Sequence, residues 1–87
     1  MYKVYLLKSL ARPEKSYVGR TIKPIAERLK EHNSGQARST KPYMPWKLVY
    51  YEQFYCKLCS DKREVFLKSG KGFRLRKIIL DNQKLLK

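Results

Sequence analysis

The first 21 residues constrain the fold most. Residues 2 to 9 are β-rich and tightly apolar, residues 16 to 21 repeat that character, and Ala11-Arg12-Pro13-Glu14-Lys15 between them carries a proline and charges suited to a hairpin loop. Strands joined by so short a connection run antiparallel. A chain of 87 residues falls below the roughly 100 to 200 usual for a domain, so residues 1–87 are read as a single small domain, which excludes a multidomain enzyme with a deep enclosed cavity. Eleven aromatic residues and 43% hydrophobic content supply one thin core despite 32% charged residues.

Further along, Pro24 sits where a helix can open. Ile25, Ala26 and Leu29 form an apolar stripe that stops at Asn33-Ser34-Gly35, so a helix is predicted from about Pro24 to Asn33. Residues 35 to 45 hold Pro42, Pro45, Ser39, Thr40 and the basic Arg38 and Lys41, and read as an exposed loop of the kind that touches ligands. From Trp46 to Phe54, Leu48 and Tyr50 alternate against Lys47, Val49 and Tyr51, the period of a third strand. Leu58 to Ser69 has helical spacing through Leu58, Asp61 or Lys62, and Val65, and Gly70-Lys71-Gly72 reads as a sharp turn after it. A last helix is predicted from Phe73 to about Leu85 with Leu75, Ile78 and Ile79 inward, fraying from about residue 81. The fold class expected is α/β: a small three-stranded antiparallel sheet flanked by about three helices.

Charge points to the partner. Lysine and arginine number 21 against 7 aspartate and glutamate, a net +14 that attracts polyanions, nucleic acid first among them. No apolar run approaches the roughly 18 residues of a membrane span. Residues Met1 to Lys8 lack the charged head and uninterrupted apolar stretch of a secretory signal. The chain is therefore expected to be cytoplasmic, and to act as a monomer. Cys56 and Cys59 form one CxxC pair, which in a reducing compartment reads as free thiols; zinc needs about four ligands, and recruiting His32 still leaves a vacancy.

Several residues stand out chemically. Arg28 and His32 are spaced i, i+4, so a helix projects them from one face about 6 Å apart, where they could hold one phosphate. Tyr5 and Tyr17 can lie close across the hairpin ladder, and Gly19, beside Arg20, permits close approach by another backbone or a ligand. Glu64 is one of two acids in the last 26 positions, which carry nine lysines and arginines. Each has an ordinary reading alone: packed strand tyrosines with one wet end, a solvated helix arginine, a histidine near a helix end, a surface salt bridge to Lys68. Tyr43, Trp46, Tyr50, Tyr51 and Tyr55 interleave with Arg38, Lys41 and Lys47, which suits stacking of unpaired bases. Core packing is the better reading for Trp46 and for one of each neighbouring tyrosine pair. The run Lys68, Lys71, Arg74, Arg76, Lys77 is a charged helix face fit to track phosphates.

Taken together, Lys3-Val4-Tyr5, Tyr17-Val18-Gly19, Arg28-x-x-x-His32, and Arg63-Glu64 leading into Phe66-Leu67-Lys68-Ser69-Gly70 resemble the GIY-YIG endonuclease superfamily. The likeness is to its small bacterial single-domain members, related to the catalytic domain of the excision-repair nuclease subunit. It runs over roughly residues 2 to 75, with Lys3 in place of the first signature's glycine and Val18 in place of an isoleucine. The resemblance implies a metal-dependent endonuclease that hydrolyses phosphodiester bonds in DNA, single-stranded or branched substrates included, with RNA as a further nucleic-acid partner. It implies that Tyr5 or Tyr17 activates the attacking water, that Arg28 neutralises the scissile phosphate, and that His32 orients that phosphate or a water. Glu64 would hold one Mg²⁺ or Mn²⁺ ion, and Arg20, Arg38, Lys41, Lys68 and Lys71 would bind substrate. A tyrosine base at neutral pH must be depressed from about 10 by two to three units, roughly 3 to 4 kcal/mol, which Arg20, Arg28 and a cation would supply. The alternative is a non-catalytic nucleic-acid-binding module on the same scaffold.

Overall fold

The computed structural model describes residues 1–82; the predicted end of the last helix at Leu85 lies outside the described residues. Strands β1 (Tyr2–Ser9) and β2 (Ser16–Thr21) form the expected hairpin, followed by helix α1 (Ile25–Asn33), a 3₁₀ turn at Lys41–Tyr43, strand β3 (Trp46–Phe54), and helices α2 (Lys57–Lys68) and α3 (Gly70–Asp81). The sheet runs in the order β2-β1-β3, antiparallel throughout. This is the α/β architecture expected, with three strands and three helices.

Being central, β1 is covered on both faces, and Val4, Tyr5, Leu6 and Leu7 are each no more than 2% exposed. Val4 and Leu6 pack with Val18 and with Leu67, Leu75 and Ile79 of α2 and α3. Tyr5, Leu7 and Trp46 pack on the opposite face, against Ile25 and Leu29 of α1 and against Tyr17 and Leu48. Helix α1 ends where Gly35 takes φ +82° and the Gln36 N–H bonds back to the Glu31 carbonyl at 3.3 Å, the left-handed ending that only glycine adopts at no steric cost. Asn33 then ties α1 to β3: its amide donates to the Trp46 carbonyl at 3.0 Å and accepts from the Trp46 N–H at 2.6 Å. On the other face Arg63 of α2 grips Glu52 of β3 through two parallel bonds of 2.7 and 2.9 Å.

Four local expectations are corrected. Leu48 and Tyr50 do not share a face, because the register shifts from Leu6↔Tyr50 to Leu7↔Leu48; Val49 is the extra residue of a bulge, which sends the two to opposite sides. Gly70-Lys71-Gly72 is no turn but the opening of α3: the Ser69 hydroxyl caps it, accepting from the Gly72 N–H at 3.3 Å. The inward face of α2 carries Ser60 and Leu67, while Leu58 and Val65 point to solvent; on α3 Leu75, Ile79 and Leu80 turn inward and Ile78 outward. Finally, the loop over residues 35 to 45 is not wholly exposed, since Thr40 is fully buried.

Candidate active site

Tyr5 and Gly19 are direct partners across the β1–β2 ladder. A Cβ at Gly19 would lie 2.5 Å from Tyr5 Cζ and 2.7 Å from Tyr17 Cε2, well inside contact distance. The close approach foreseen for this glycine is made by the phenol rings themselves. Tyr5 leans across Gly19, Tyr17 stands beside it with ring centroids 6.3 Å apart, and His32 of α1 meets both, at 5.7 Å from Tyr5 and 5.2 Å from Tyr17.

A directed chain of hydrogen bonds runs through this cluster. Thr40 Oγ1 donates to the Ala37 carbonyl at 3.2 Å, so it meets His32 Nδ1, 2.8 Å away, as an acceptor. That places the imidazole proton on Nδ1 and leaves the Nε2 lone pair free to accept from the Tyr5 hydroxyl at 2.8 Å. Tyr5 Oη in turn accepts from Arg28 Nε at 3.1 Å. The Thr40 carbonyl accepts from Trp46 Nε1 at 2.8 Å, so the buried loop residue is held at both ends. Sequence reasoning misses Thr40, since nothing local distinguishes one hydroxyl in a proline-containing loop.

Burial dominates the electrostatics. It lowers His32 to about 4, helped by the Arg28 charge, so the ring is neutral at physiological pH. It pushes the Tyr5 phenol up to about 12, against the hydrogen bond and charge of Arg28. The depressed tyrosine foreseen from sequence is thus not Tyr5 in the free protein: the loss of hydration exceeds what one guanidinium returns. His32 also differs from expectation, being fully buried with both ring nitrogens engaged. Its Nε2 meets the Tyr5 hydroxyl and its Nδ1 the Thr40 hydroxyl.

Glu64 approaches from α2 at the outer strand β2. Its carboxylate lies 3.2 Å from Lys68 Nζ and 4.0 Å from Arg20 Nε, and its charge adds to the upward push on Tyr5. Lys68 spans the gap, its ammonium also sitting 5.9 Å from the centre of the Tyr17 ring. Arg63 turns away from this group to Glu52. Among the described residues no cluster of three or more histidine, cysteine, aspartate and glutamate side chains forms a metal cage. One half-buried carboxylate near phenols and arginines fits an ion of the magnesium type, which keeps several waters and takes substrate oxygens.

Arg20 and Arg28 also line an open cleft of about 310 Å³. Arg20 pairs with Asp61 of α2, which Lys57 also approaches at 3.8 Å; Arg28 pairs with Glu31 at 2.8 Å, and Lys23 joins the same carboxylate. Spacing of i, i+3 for Arg28 and Glu31 and of i, i+4 for Lys57 and Asp61 is the sequence signal for these pairs. Of the other basic residues expected to bind substrate, Arg38 and Lys41 are exposed and flank Thr40, and Lys71 is exposed on the first turn of α3; none lines the cleft. Trp46 is core, Tyr43 and Tyr50 pack against it or its neighbouring cluster, and Tyr51 and Tyr55 stay exposed. Cys56 and Cys59 are exposed free thiols, Cys56 Sγ accepting from the Cys59 N–H as the cap of α2. Among the described residues no helix is long and apolar enough to cross a membrane.

No curated protein and no solved structure matches the chain. A family model does: the GIY-YIG catalytic domain, over residues 1–77, a span that holds both hairpin tyrosines, the arginine and histidine of α1, and the α2 glutamate gathered at the β2 side of the sheet. The chain belongs to the GIY-YIG family of nuclease domains.

Proposed function

We propose that the protein is a divalent-metal-dependent endonuclease that hydrolyses phosphodiester bonds in DNA, acting at the cluster of Tyr5, Tyr17, Arg28, His32 and Glu64. The observation that carries this reading is the bonding of Tyr5 Oη, which donates to His32 Nε2 while accepting from Arg28 Nε. A structural tyrosine needs one partner. This one has a proton acceptor on one side and a cation on the other.

Tyr5 Oη takes a proton from the attacking water as its own passes to His32 Nε2, and the Thr40 hydroxyl keeps the imidazole in the tautomer that can accept it. With burial pushing Tyr5 up to about 12 and His32 down to about 4, a standing phenolate–imidazolium pair is strongly disfavoured. Transfer therefore accompanies bond formation to phosphorus instead of preceding it. Arg28, half-buried and oriented by Glu31, meets the charge that grows on the phosphate. Tyr17 closes the other side of the water site. A divalent ion held by Glu64 supplies further positive charge to the phosphate when bound. Arg20 and Lys68, next to Glu64, bind phosphates along the strand, with Arg38, Lys41 and Lys71 as outlying contacts.

The test is incubation with labelled single-stranded, duplex and branched DNA in Mg²⁺ and in Mn²⁺. Cutting that disappears in Glu64→Ala and in Arg28→Ala supports the reading. No cutting of any substrate, or cutting undiminished in both variants, overturns it in favour of a binding module, for which Glu64→Ala only tightens attachment by removing a negative charge.

A further inference from the structure

Beside the reacting groups, the cleft bordered by Arg20 and Arg28 has a composition of its own. Its lining includes Tyr2, from the start of β1, and Ile22, from the turn after β2, with Arg20, Lys23, Arg28 and Lys57 around them. Ile22 is 71% exposed, and its turn is fixed by two hydrogen bonds: the Lys23 N–H donates to Thr21 Oγ1 at 3.0 Å and Lys3 Nζ to the Lys23 carbonyl at 3.1 Å. The braced turn presents the isoleucine as a fixed apolar surface at the cleft.

The four cations are arranged in two pairs, each behind one carboxylate. Glu31 holds Lys23 and Arg28 on the α1 side; Asp61 holds Arg20 and Lys57 on the α2 side. Neither carboxylate lines the cleft. They orient the cations without entering the cleft; with Glu64, which also approaches Arg20, and its partner Lys68 counted on the α2 side, one positive charge remains in excess on each flank. The ligand that matches is anionic at two ends and flat and apolar in the middle. A volume of about 310 Å³ stands at the small end of the roughly 300 to 1,000 Å³ of ligand sites, room for one unit of a polymer.

We propose that this cleft binds one unpaired nucleotide of the substrate strand, its base against Tyr2 and Ile22 and its two flanking phosphates on the Lys23–Arg28 and Arg20–Lys57 pairs. The inference rests on the nuclease reading for one point, that the phosphate at Arg28 is the one to be cut. A base within a duplex is paired and stacked on both sides and enters only after extrusion, which costs a few kcal/mol; an unpaired base enters without that penalty. The cleft thereby selects single strands, flaps and branch points over continuous duplex.

The experiment uses the full chain without divalent metal, so that nothing is cut, and oligonucleotides carrying one photoreactive 5-iodouracil, either unpaired or within a continuous duplex. Irradiation and peptide mass spectrometry locate the adduct. The expected result is crosslinking to Tyr2 from the unpaired base, at least about tenfold weaker from the duplex. The variant Ile22→Ser, which alters no core contact, is expected to lower both the adduct and single-strand affinity at least about fivefold while duplex affinity holds. Equal adducts from both substrates, adducts elsewhere, or an Ile22→Ser variant that binds single strands normally overturns the proposal. A parallel cutting assay with metal separates the two claims: a protein that cuts without the Tyr2 adduct retains the nuclease reading and loses this one. A protein that forms the adduct and cuts nothing does the reverse.

Discussion

The Tyr5 ring occupies the volume that a side chain at Gly19 would fill, and these two residues face each other across the ladder. The hydroxyl of Tyr5 reaches His32 and Arg28 across the space that the bare backbone of Gly19 leaves open.

Gly19→Ala is therefore expected to displace Tyr5 from both partners, lowering stability by roughly 2 to 4 kcal/mol from overpacking and lost bonds and nuclease activity by more than about 100-fold. Gly70→Ala is the contrasting control. Nothing lies within 4 Å of a Cβ there, and a helical glycine replaced by alanine gains up to about 1 kcal/mol. Urea unfolding of the two variants, with nicking assays alongside, checks both statements.

His32 makes stability depend on pH. Its folded value, about 4, lies below the roughly 6.5 of the unfolded chain, so between those values the unfolded state binds the extra proton. Stability is fully present above about 6.5 and is lost as pH falls toward 4, by roughly 2 kcal/mol at pH 5. Denaturation midpoints at pH 7.5 and pH 5 should show this difference, and His32→Gln should remove that part of it.

Thr40→Val keeps the shape and deletes the acceptor for His32 Nδ1–H. Leaving a buried donor unpaired costs about 1 to 3 kcal/mol, and freeing the tautomer places a proton on Nε2 part of the time, where it cannot receive one from Tyr5. Thr40→Ser should restore both the melting temperature and the rate. Recovery of stability without recovery of rate would separate the hydroxyl's packing role from its orienting one.

On the proposed function Glu64 would hold the ion, and Lys68 Nζ already lies 3.2 Å from its carboxylate. Titration of nucleic-acid-free protein with Mn²⁺, followed by electron paramagnetic resonance, should show binding no tighter than about 1 mM. Lys68→Gln removes the competing cation and should tighten it, whereas Glu64→Gln should abolish it.

Local signals made part of this architecture legible. The hairpin and the end of α1 at Asn33 rest on neighbours in sequence, and both stand where the residues placed them. The inward side of α2 was hidden because its inner positions are filled by residues that look like surface: Ser60 is buried, Arg63 holds Glu52, and Glu64 holds Lys68. Leu58 and Val65, which read as core, face water instead. Nor could a strict two-residue alternation reveal the bulge at Val49, which depends on pairing with β1. In the candidate site, Tyr5, Tyr17, Arg28 and Glu64 were visible as a spaced pattern. The parts supplied by partner geometry, such as Thr40 behind His32 or Asp61 behind Arg20, have no counterpart in spacing to either partner.

Helices α2 and α3 are joined through Ser69 alone, and their angle is set where Gly72 comes against the backbone of Phe66 and Leu67, with room for no side chain: a Cβ would stand 2.6 Å from Leu67 Cα. That contact makes a tight corner about one helical turn from the carboxylate at position 64. On the proposed reading, the placement of the acid relative to the phenols would therefore depend on a joint made of bare backbone, where the smallest added side chain would have nowhere to go.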